Sequence, residues 1–216
     1  MRQLPPIHVI DFEGHPRYGV IEYGVATVEA GRVTAAATRL CAPTGDIPPA
    51  DTQVHGLRAQ NLTGCAPFAD EYQRFVAWRS SGVLAAHNSW VEHRLLKHHW
   101  SFPPFVPAWA TEGEVAEWGP WLCTLRLARV CWPELESHSV LNVVSAHGLE
   151  GELDALAQRH CPPERDRAHC ALYDALASAL VLCRALDELA GQPHLLNVLL
   201  EPENWLRSGA QQAELF

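Results

Sequence analysis

The hydrophobic and polar positions near the start of the chain follow the pattern of β-strands. Residues 7–10 form a short apolar, β-branched run that leads into Asp11-Phe12-Glu13 and is closed by Gly14. Two further strand-like runs follow at residues 20–28 and 33–40, each after a short turn. Such runs joined by short turns are typical of antiparallel hairpins. The pattern therefore predicts a three-stranded antiparallel meander.

Helical spacing of apolar positions dominates the rest of the chain. One short buried strand is predicted at residues 83–86, and Asn88 is predicted to cap the helix that follows it. Prolines and glycines interrupt residues 101–120, so a loop is expected there. Helices are predicted at residues 68–80, 88–97, 122–130, 139–147, 152–160, 168–190 and 193–206. This order of elements favours an α/β fold, with a mixed sheet flanked by helices.

The composition indicates a globular chain, because 216 residues can bury a sizeable core. No apolar run approaches the roughly 20 residues that span a bilayer, and the N-terminus lacks the apolar stretch of a secretory signal. Seven cysteines without a C-x-x-C pair are typical of free thiols in a reducing compartment. The sequence therefore predicts a cytoplasmic protein with no membrane partner.

Two acidic residues, Asp11 and Glu13, lie two positions apart on the first predicted strand, so both carboxylates share one face. Neighbouring carboxylates repel each other unless a cation lies between them, and Mg²⁺ and Mn²⁺ prefer such oxygen ligands. Bound cations would also offset the net charge of −9, which is otherwise unfavourable for phosphate binding. A solvated strand end has the same spacing, so this pair alone is a weak indication.

Two further clusters strengthen the indication of a metal site. Glu92 falls in the first turns of the helix predicted after the buried strand. His169 and Asp174 lie near the start of the long helix predicted at residues 168–190. Positions five apart do not share a helix face, so His169 is expected in the preceding turn and Asp174 on the helix itself.

In this order the clusters resemble the three motifs of the DEDDh family of 3′–5′ exonucleases, the DnaQ-like group. The motifs are D-x-E at residues 11–13, H-N-x-x-x-E at 87–92 and H-x4-D at 169–174. Supporting matches between them are I-E-Y-G at 21–24, V-H-G-L at 54–57, T-L-R-L-A-R at 124–129, S-H-S-V at 137–140 and G-L at 148–149. The resemblance covers roughly residues 7–190. It implies a ribonuclease-H-like fold with a central mixed five-stranded sheet, an exonuclease domain at residues 1–191 and a C-terminal helix and tail at 192–216.

The resemblance also implies roles for five side chains. Asp11, Glu13, Glu92 and Asp174 become the carboxylates that hold two Mg²⁺ or Mn²⁺ ions, and His169 becomes the general base. The expected products are nucleoside 5′-monophosphates. The middle acid of the family is normally aspartate, and the extra methylene of Glu92 moves its carboxylate by about 1.5 Å. Because this acid tends to act on the second metal, partly through water, glutamate is expected to be tolerated.

Several residues are candidates for contact with substrate. In the turn at residues 14–19, where relatives usually have T-T-G, His15 or Tyr18 is a candidate to stack on the terminal base and Arg17 to meet phosphate. An ordinary surface turn explains the same residues equally well. His55 and Asn88 are further substrate candidates, because both fall within the segments that match the family.

Two other signals favour structural explanations. A zinc site is not favoured, because His93 and His98 are five positions apart and the exonuclease motif already employs His169. His87 is expected to be a hydrogen-bonded core residue. The tryptophans at positions 100, 109, 118 and 121 are expected to form a local cluster that fixes the loop, although exposed rings there would stack on bases.

The last five residues resemble the bacterial sliding-clamp-binding peptide, usually written Q-L-x-L-F. Gln212, Leu215 and Phe216 match it, whereas Ala213 replaces a leucine. A helix end tucked onto the core is the alternative. Clamp binding would make DNA the substrate and replication or repair the setting.

The sequence therefore favours a metal-dependent 3′–5′ exonuclease that hydrolyses DNA at single-stranded 3′ ends. A 3′–5′ exoribonuclease of the RNase T or oligoribonuclease kind is one alternative, because the sequence shows no gate for the 2′-hydroxyl. A nucleic-acid-binding or clamp-binding module that has lost activity is another. The presence of Asp11, Glu13, His169 and Asp174 argues against an inactive module, and only Glu92 argues for it.

Overall fold

A computed structural model describes residues 4–204. Its strands are β1 (Ile7–His15), β2 (Gly19–Glu29), β3 (Arg32–Leu40), β4 (Val83–Ala86), β5 (Val106–Pro107), β6 (Glu114–Val115) and β7 (Trp121–Cys123). Five of them form one sheet in the order β3-β2-β1-β4-β7. β1, β2 and β3 pair antiparallel, whereas β4 runs parallel to β1 and β7 runs parallel to β4. The expected mixed five-stranded sheet is confirmed.

The helices flank this sheet. They are α1 (Pro49–His55), α2 (Tyr72–Ser81), α3 (Trp90–His99), α4 (Thr124–Cys131), α5 (Val140–Ala146), α6 (Glu150–His160), α7 (Ala171–Glu188) and α8 (Leu195–Leu200). Two short 3₁₀ turns lie at Ala59–Leu62 and Phe68–Glu71. α7 packs across β1, β2 and β3, and α4, α5 and α6 pack against α7.

The alternation of side chains along β1 divides the core into two layers. Ile7 and Val9 lie in the cluster that contains the buried face of α7. Ile10 and Phe12 point to the opposite face, into a cluster that contains Phe75 of α2. Because side chains of a strand alternate between faces, the α7-facing row of β1 continues through residues 11 and 13. The two acids of the first motif therefore face the helix that carries the third.

Some element boundaries differ from the sequence-based prediction. β1 does not end at Gly14 but continues to His15, with a shift of register between Glu13 and Gly14. The helix predicted at residues 122–130 begins at Thr124, because Trp121–Cys123 is the edge strand β7. Asn88 is not a helix cap: it has a φ of 69°, and Ser89 is the residue that precedes α3.

The proline-rich stretch of residues 101–120 is mostly loop, as predicted, but also contains the two-stranded ribbon β5–β6. Trp118 is fully buried, and its indole N–H donates a 2.7 Å hydrogen bond to the carbonyl of Trp100. Trp100, Trp109 and Trp121 are half-buried. Trp100, Trp118 and Trp121 belong to the core cluster that contains Phe68 and Phe75. Trp109 instead packs against the core cluster of α7, so the expected local tryptophan cluster forms without it.

All seven cysteines are free thiols, as predicted. Within residues 4–204, none of the helices has the length and apolar character needed to cross a membrane. Leu199 and Leu200 of α8 are buried in the same core as α7. The clamp-like peptide, with Gln212, Leu215 and Phe216, lies outside the described residues.

Candidate active site

The site is built where the start of α7 meets the middle of the sheet. Gly24 of β2 pairs with Asp11 of β1. A Cβ atom on Gly24 would lie 2.3 Å from the carbonyl oxygen of Ala171, far inside any normal contact. The absence of a side chain at Gly24 therefore lets the first turn of α7 lie directly on the sheet, which brings Asp174 towards Asp11.

Glu13, His169 and Asp174 form a compact group of potential metal ligands. One ligand atom from each lies within 4.8 Å of the other two. His169 precedes α7 and has a left-handed backbone with a φ of 60°, a conformation that histidine adopts more often than most residues. Its backbone N–H donates a 2.9 Å hydrogen bond to Oδ2 of Asp174. The histidine thus lies in the turn and the aspartate on the helix, as the spacing of five predicts.

Glu92 reaches the same region from the first turn of α3. Its side chain is only 5% exposed, and its Oε2 atom finds no hydrogen-bond partner among the described residues. β1 and β4 run parallel, so their carboxyl ends meet at one edge of the sheet and bring the start of α3 near Asp11. Consistent with this placement, the charge of Glu92 raises the pKa of Asp11.

The groups around the four acids carry too little positive charge for all four carboxyl groups to be ionised at the same time. Burial raises the pKa of Asp11 well above its usual range. The pKa of Asp11 is raised further by four neighbouring carboxylates, those of Asp174, Glu92, Glu13 and Glu22. Burial, followed by the charge of Glu13, raises the pKa of Glu92 to about 8. A carboxyl group with such a pKa is partly protonated at neutral pH.

The remaining two acids show the same crowding. Burial and then the charges of Asp174 and Glu22 raise the pKa of Glu13 to about 8, with Arg165 acting in the opposite direction. Burial raises the pKa of Asp174 to about 6, although the hydrogen bond from the His169 amide lowers it. Like charges gathered in a buried place are a mark of functional sites.

The side chains present fit divalent cations. Four carboxylates offer the oxygen ligands that Mg²⁺ and Mn²⁺ prefer, and the buried oxygen of Glu92 lacks a protein donor within residues 4–204. Positive charge bound there would relieve the repulsion that raises the pKa values of Asp11, Glu13 and Glu92. Asp11 and Glu92 lie outside the compact group formed by Glu13, His169 and Asp174.

Of the three substrate candidates in the turn before β2, Tyr18 does not have the exposed position that the prediction requires. Tyr18 is only 2% exposed, packs among Ile21 and Leu57, and donates a 3.0 Å hydrogen bond to Asp51. Its ring is therefore part of the core and cannot stack on a base. His15 and Arg17 are exposed at the tip of the turn, where the amide of Arg17 donates to the His15 ring.

The other two substrate candidates differ in exposure. His55 is buried, and its Nδ1 atom accepts a 3.0 Å hydrogen bond from the amide of Leu57. Its Nε2 atom has no hydrogen-bond partner within the described part of the chain. Asn88 is exposed in the turn between β4 and α3. His55 therefore faces the interior, and Asn88 faces solvent.

His87 is a core residue, as predicted. Its ring nitrogens lie 2.9 Å from Thr124 Oγ1 and 2.9 Å from the carbonyl oxygen of His138. Burial lowers the pKa of His87 to about 4, so the ring is neutral at physiological pH. Its hydrogen bonds tie the end of β4 to the start of α4.

Sequence reasoning missed two charged residues beside the site. Glu22 belongs to the I-E-Y-G segment that resembles the family, and it lies directly opposite Glu13 in the β1–β2 register. Arg165 lies on the segment before His169 and forms a salt bridge with Glu22. The two are 143 positions apart, so no local pattern indicates their contact. The match of Glu22 to a family segment was the one signal available.

Solved structures similar in fold to this chain include several exonucleases. Exonuclease X in complex with 5′-overhanging duplex DNA is 21% identical, with a TM-score of 0.63, over 87% of this chain and 94% of that chain. A 3′-exonuclease that recognises the histone mRNA stem-loop is 12% identical, with a TM-score of 0.63, over 87% of this chain and 84% of that one. The nuclease domain of 3′hExo, described as a DEDDh family member bound to rAMP, is 13% identical, with a TM-score of 0.61, over 87% and 94% of the two chains.

No model of a known protein family matches the sequence, and no curated protein sequence matches it either. At these low identities the structural similarity concerns the fold. The order of the five-stranded sheet and its flanking helices is that of the ribonuclease-H-like fold, which the sequence resemblance implied.

Proposed function

We propose that this chain is a metal-dependent 3′–5′ exonuclease. The observation that carries the proposal is the convergence of Asp11, Glu13, Glu92, His169 and Asp174 on one place in a ribonuclease-H-like fold. These residues come from three separate segments, and burial raises the pKa of each of the four acids, with a further increase from the charge of at least one neighbouring carboxylate. The similarity in fold to solved 3′-exonucleases supports the same reaction class.

Each side chain has a task that follows from its position. The carboxylates of Asp11, Glu13, Glu92 and Asp174 would hold two Mg²⁺ or Mn²⁺ ions. When bound, such ions supply Lewis-acid activation of a water and charge stabilisation of the leaving 3′ oxygen. His169 is exposed beside Glu13 and Asp174, so a ring nitrogen is free to take the proton from the attacking water. Hydrolysis at the 3′ end then releases a nucleoside 5′-monophosphate.

We propose DNA as the substrate and replication or repair as the setting. The support is the C-terminal sequence, in which Gln212, Leu215 and Phe216 match a sliding-clamp-binding peptide. Such a peptide on the polar tail would tether the enzyme to the clamp, and the clamp encircles DNA. The solved neighbours include one in complex with DNA and one that recognises an mRNA stem-loop, so the fold favours neither nucleic acid.

The test is digestion of matched single-stranded DNA and RNA, labelled at either end, in the presence of Mn²⁺. We expect stepwise loss of nucleotides from the 3′ end and faster digestion of DNA. The Asp11→Ala variant should leave both substrates intact while keeping the wild-type circular dichroism spectrum. Faster digestion of RNA would replace the DNA proposal with an exoribonuclease.

An inactive binding module predicts a different result. In that case the wild-type protein leaves every substrate intact in the presence of either Mg²⁺ or Mn²⁺, and Mn²⁺ does not change its melting temperature. Clamp binding has its own test, which compares the full chain with the Leu215→Ala, Phe216→Ala double variant for binding to a purified clamp. Equal binding by the two proteins would reject the tail as the clamp ligand.

A further inference from the structure

The segment that carries His169 has little regular structure of its own. It runs from the end of α6 to the start of α7 and contains Pro162 and Pro163. His169 adopts a left-handed backbone there, which is a costly conformation for a residue with a side chain. Contacts outside the segment must therefore hold it in place.

Glu22 of β2 supplies the first of these contacts. Its side chain is 2% exposed, and both of its carboxylate oxygens accept hydrogen bonds. Oε1 accepts a 3.0 Å bond from Nε of Arg165, and Oε2 accepts a 3.0 Å bond from the amide of Ala171 as well as one from Nη2 of Arg165. One buried acid on the sheet thus binds the segment before His169 and the first residue of α7.

Arg165 uses its other donors on the two segments that border the site. Nη1 donates a 2.6 Å hydrogen bond to the carbonyl of His55, and Nη2 lies 3.5 Å from the carbonyl oxygen of His169. The Arg165 side chain is 12% exposed, so little of it remains for a contact with substrate. The planar guanidinium provides donors in a fixed fork, which a lysine cannot reproduce.

The pair also lies next to the acids of the active site. Glu22 is directly across from Glu13 in the β1–β2 ladder, and a second uncompensated carboxylate there would add to the crowding. The positive charge of Arg165 instead lowers the pKa of Glu13 and of Asp174. Arg165 therefore neutralises Glu22 and moderates two of the acids that would bind metal.

We propose that Glu22 and Arg165 are positioning residues for the general base, holding His169 and the start of α7 against the sheet without touching the substrate. The inference rests on the proposed exonuclease function. Its physical content is that the ion pair anchors the segment before His169 to β2, while two further hydrogen bonds join the pair to the carbonyl of His169 and to the amide of Ala171.

The kinetic test compares Arg165→Met and Glu22→Gln with Arg167→Met. Arg167 is an exposed arginine two positions from Arg165, and it serves as the matched control. We expect Arg165→Met and Glu22→Gln each to lower kcat by about 10- to 100-fold with little change in KM, the usual cost of losing a residue that orients a ligand. Arg165→Lys should recover only part of the loss. A raised KM with unchanged kcat would make Arg165 a substrate contact and overturn the proposal.

Double variants test whether the effect acts through His169. In a His169→Ala background, measured with enzyme in excess, Arg165→Met should lower the residual rate by less than about threefold, because the residue that it orients is gone. A further loss as large as in the wild-type background would show that Arg165 acts independently of His169. The Glu22→Gln, Arg165→Met double variant should lose no more activity than the worse single variant.

Amide hydrogen exchange tests the positioning without reference to activity. In Arg165→Met, the amides of His169 and Ala171 should exchange at least about tenfold faster, while that of Leu180 in the middle of α7 stays protected. Unchanged exchange at His169 and Ala171 would overturn the proposal even if the enzyme is active. Faster exchange in a protein that digests no nucleic acid would instead reject the proposed function and leave the structural pair standing.

Discussion

Two buried charged regions of this protein solve the same physical problem in opposite ways. The active-site region gathers the carboxylates of Asp11, Glu13, Glu92 and Asp174. Burial and mutual repulsion raise their pKa values, to about 8 for Glu13 and Glu92. The negative charge of these acids is costly to bury, and the protein supplies too few positive groups to compensate it.

The second region surrounds Arg79 of α2, a cation that is fully buried beneath residues 101–120. Its guanidinium donates to four main-chain carbonyls, those of Pro107, Glu117, Trp118 and Gly119, at 2.6–3.2 Å. Burial lowers the pKa of Arg79 to about 10, so the side chain remains charged at physiological pH. Each of the three guanidinium nitrogens therefore donates to at least one main-chain carbonyl of residues 107–119.

The difference distinguishes a structural charge from a functional one. Around Arg79 the protein supplies a carbonyl partner for each guanidinium nitrogen, so the charge helps to order the proline-rich loop. Around Asp11 the partners are missing, so the site gains stability only when cations arrive. A cluster of buried carboxylates without compensating positive charge indicates a binding site.

The largest effect is expected from Asp11→Asn, which removes charge from the most crowded position and keeps the shape of the side chain. We expect kcat to fall by at least about 1000-fold, because the site acts as a unit. In EDTA the melting temperature should rise, because one repelling charge has gone. Single-turnover digestion and thermal unfolding measure the two effects.

The control for this change is Asp187→Asn, an exposed aspartate at the far end of α7. It should alter neither the rate nor the melting temperature in EDTA. A lower melting temperature in Asp11→Asn would contradict the picture of uncompensated repulsion.

The next effect is on stability and comes from Arg79→Met. Methionine fills a similar volume but leaves four carbonyls without their donor, which should lower the free energy of unfolding by about 3 kcal/mol. Arg79→Lys should recover part of this loss, because an ammonium group still donates hydrogen bonds. Urea unfolding in EDTA measures the change.

Arg74→Met is the matched control on the same helix. Arg74 is exposed and pairs with Glu71, which keeps a second partner in Arg39. We expect a loss below about 1 kcal/mol, as for surface ion pairs. If Arg79→Met is as mild as Arg74→Met, the carbonyls of the insertion are satisfied in another way.

The active-site region was largely predictable from sequence, whereas the Arg79 region was not. The spacing of two between Asp11 and Glu13 indicates that both lie on one face of a strand. The spacing of five between His169 and Asp174 indicates that the histidine lies in the turn and the aspartate on the helix. The strands and helices that carry these four residues could be assigned from the spacing of apolar positions along the chain. These are local signals that a single sequence carries.

Contacts between distant segments were beyond sequence reasoning. Arg79 meets carbonyls 28 to 40 positions away, and peptide carbonyls leave no trace in the pattern of side chains. The strand β7 falls inside a predicted helix, because its three residues run directly into the helical pattern of α4. The burial of Tyr18 is likewise not predictable from the sequence, because only the folded turn brings its ring into one cluster with Ile21 and Leu57.

A smaller effect concerns the pH dependence of stability in EDTA. Glu13 and Glu92 have pKa values of about 8 in the folded protein, against 4.5 for ordinary glutamate. Between these values the folded state binds more protons than the unfolded state, so the free energy of unfolding falls as pH rises. His8 and His87, with pKa values lowered to about 4, act in the opposite direction only below pH 6.5.

The informative window is therefore pH 6.5 to 8, set by the ordinary pKa of histidine and the raised pKa of the two acids. We expect a loss of about 3 kcal/mol across it in wild type and about half that loss in Glu13→Gln. Mn²⁺ should stabilise the protein more at pH 8 than at pH 6.5, because cations compete with protons for the same oxygens. Equal slopes in wild type and Glu13→Gln would contradict the raised pKa.

The smallest effect is expected from Glu92→Asp, which changes length and keeps charge. The carboxylate retreats by about 1.5 Å, and we expect kcat to stay within about tenfold of wild type, since a water molecule can bridge the gap. Glu92→Gln keeps the length and removes the charge, and it should lower kcat by about 100-fold. Titration of activity with Mn²⁺ should show weaker activation in Glu92→Gln than in Glu92→Asp. If Glu92→Gln digests DNA as fast as wild type, the buried oxygen of Glu92 is not a cation ligand, and the uncompensated charge of the site reduces to Asp11, Glu13 and Asp174.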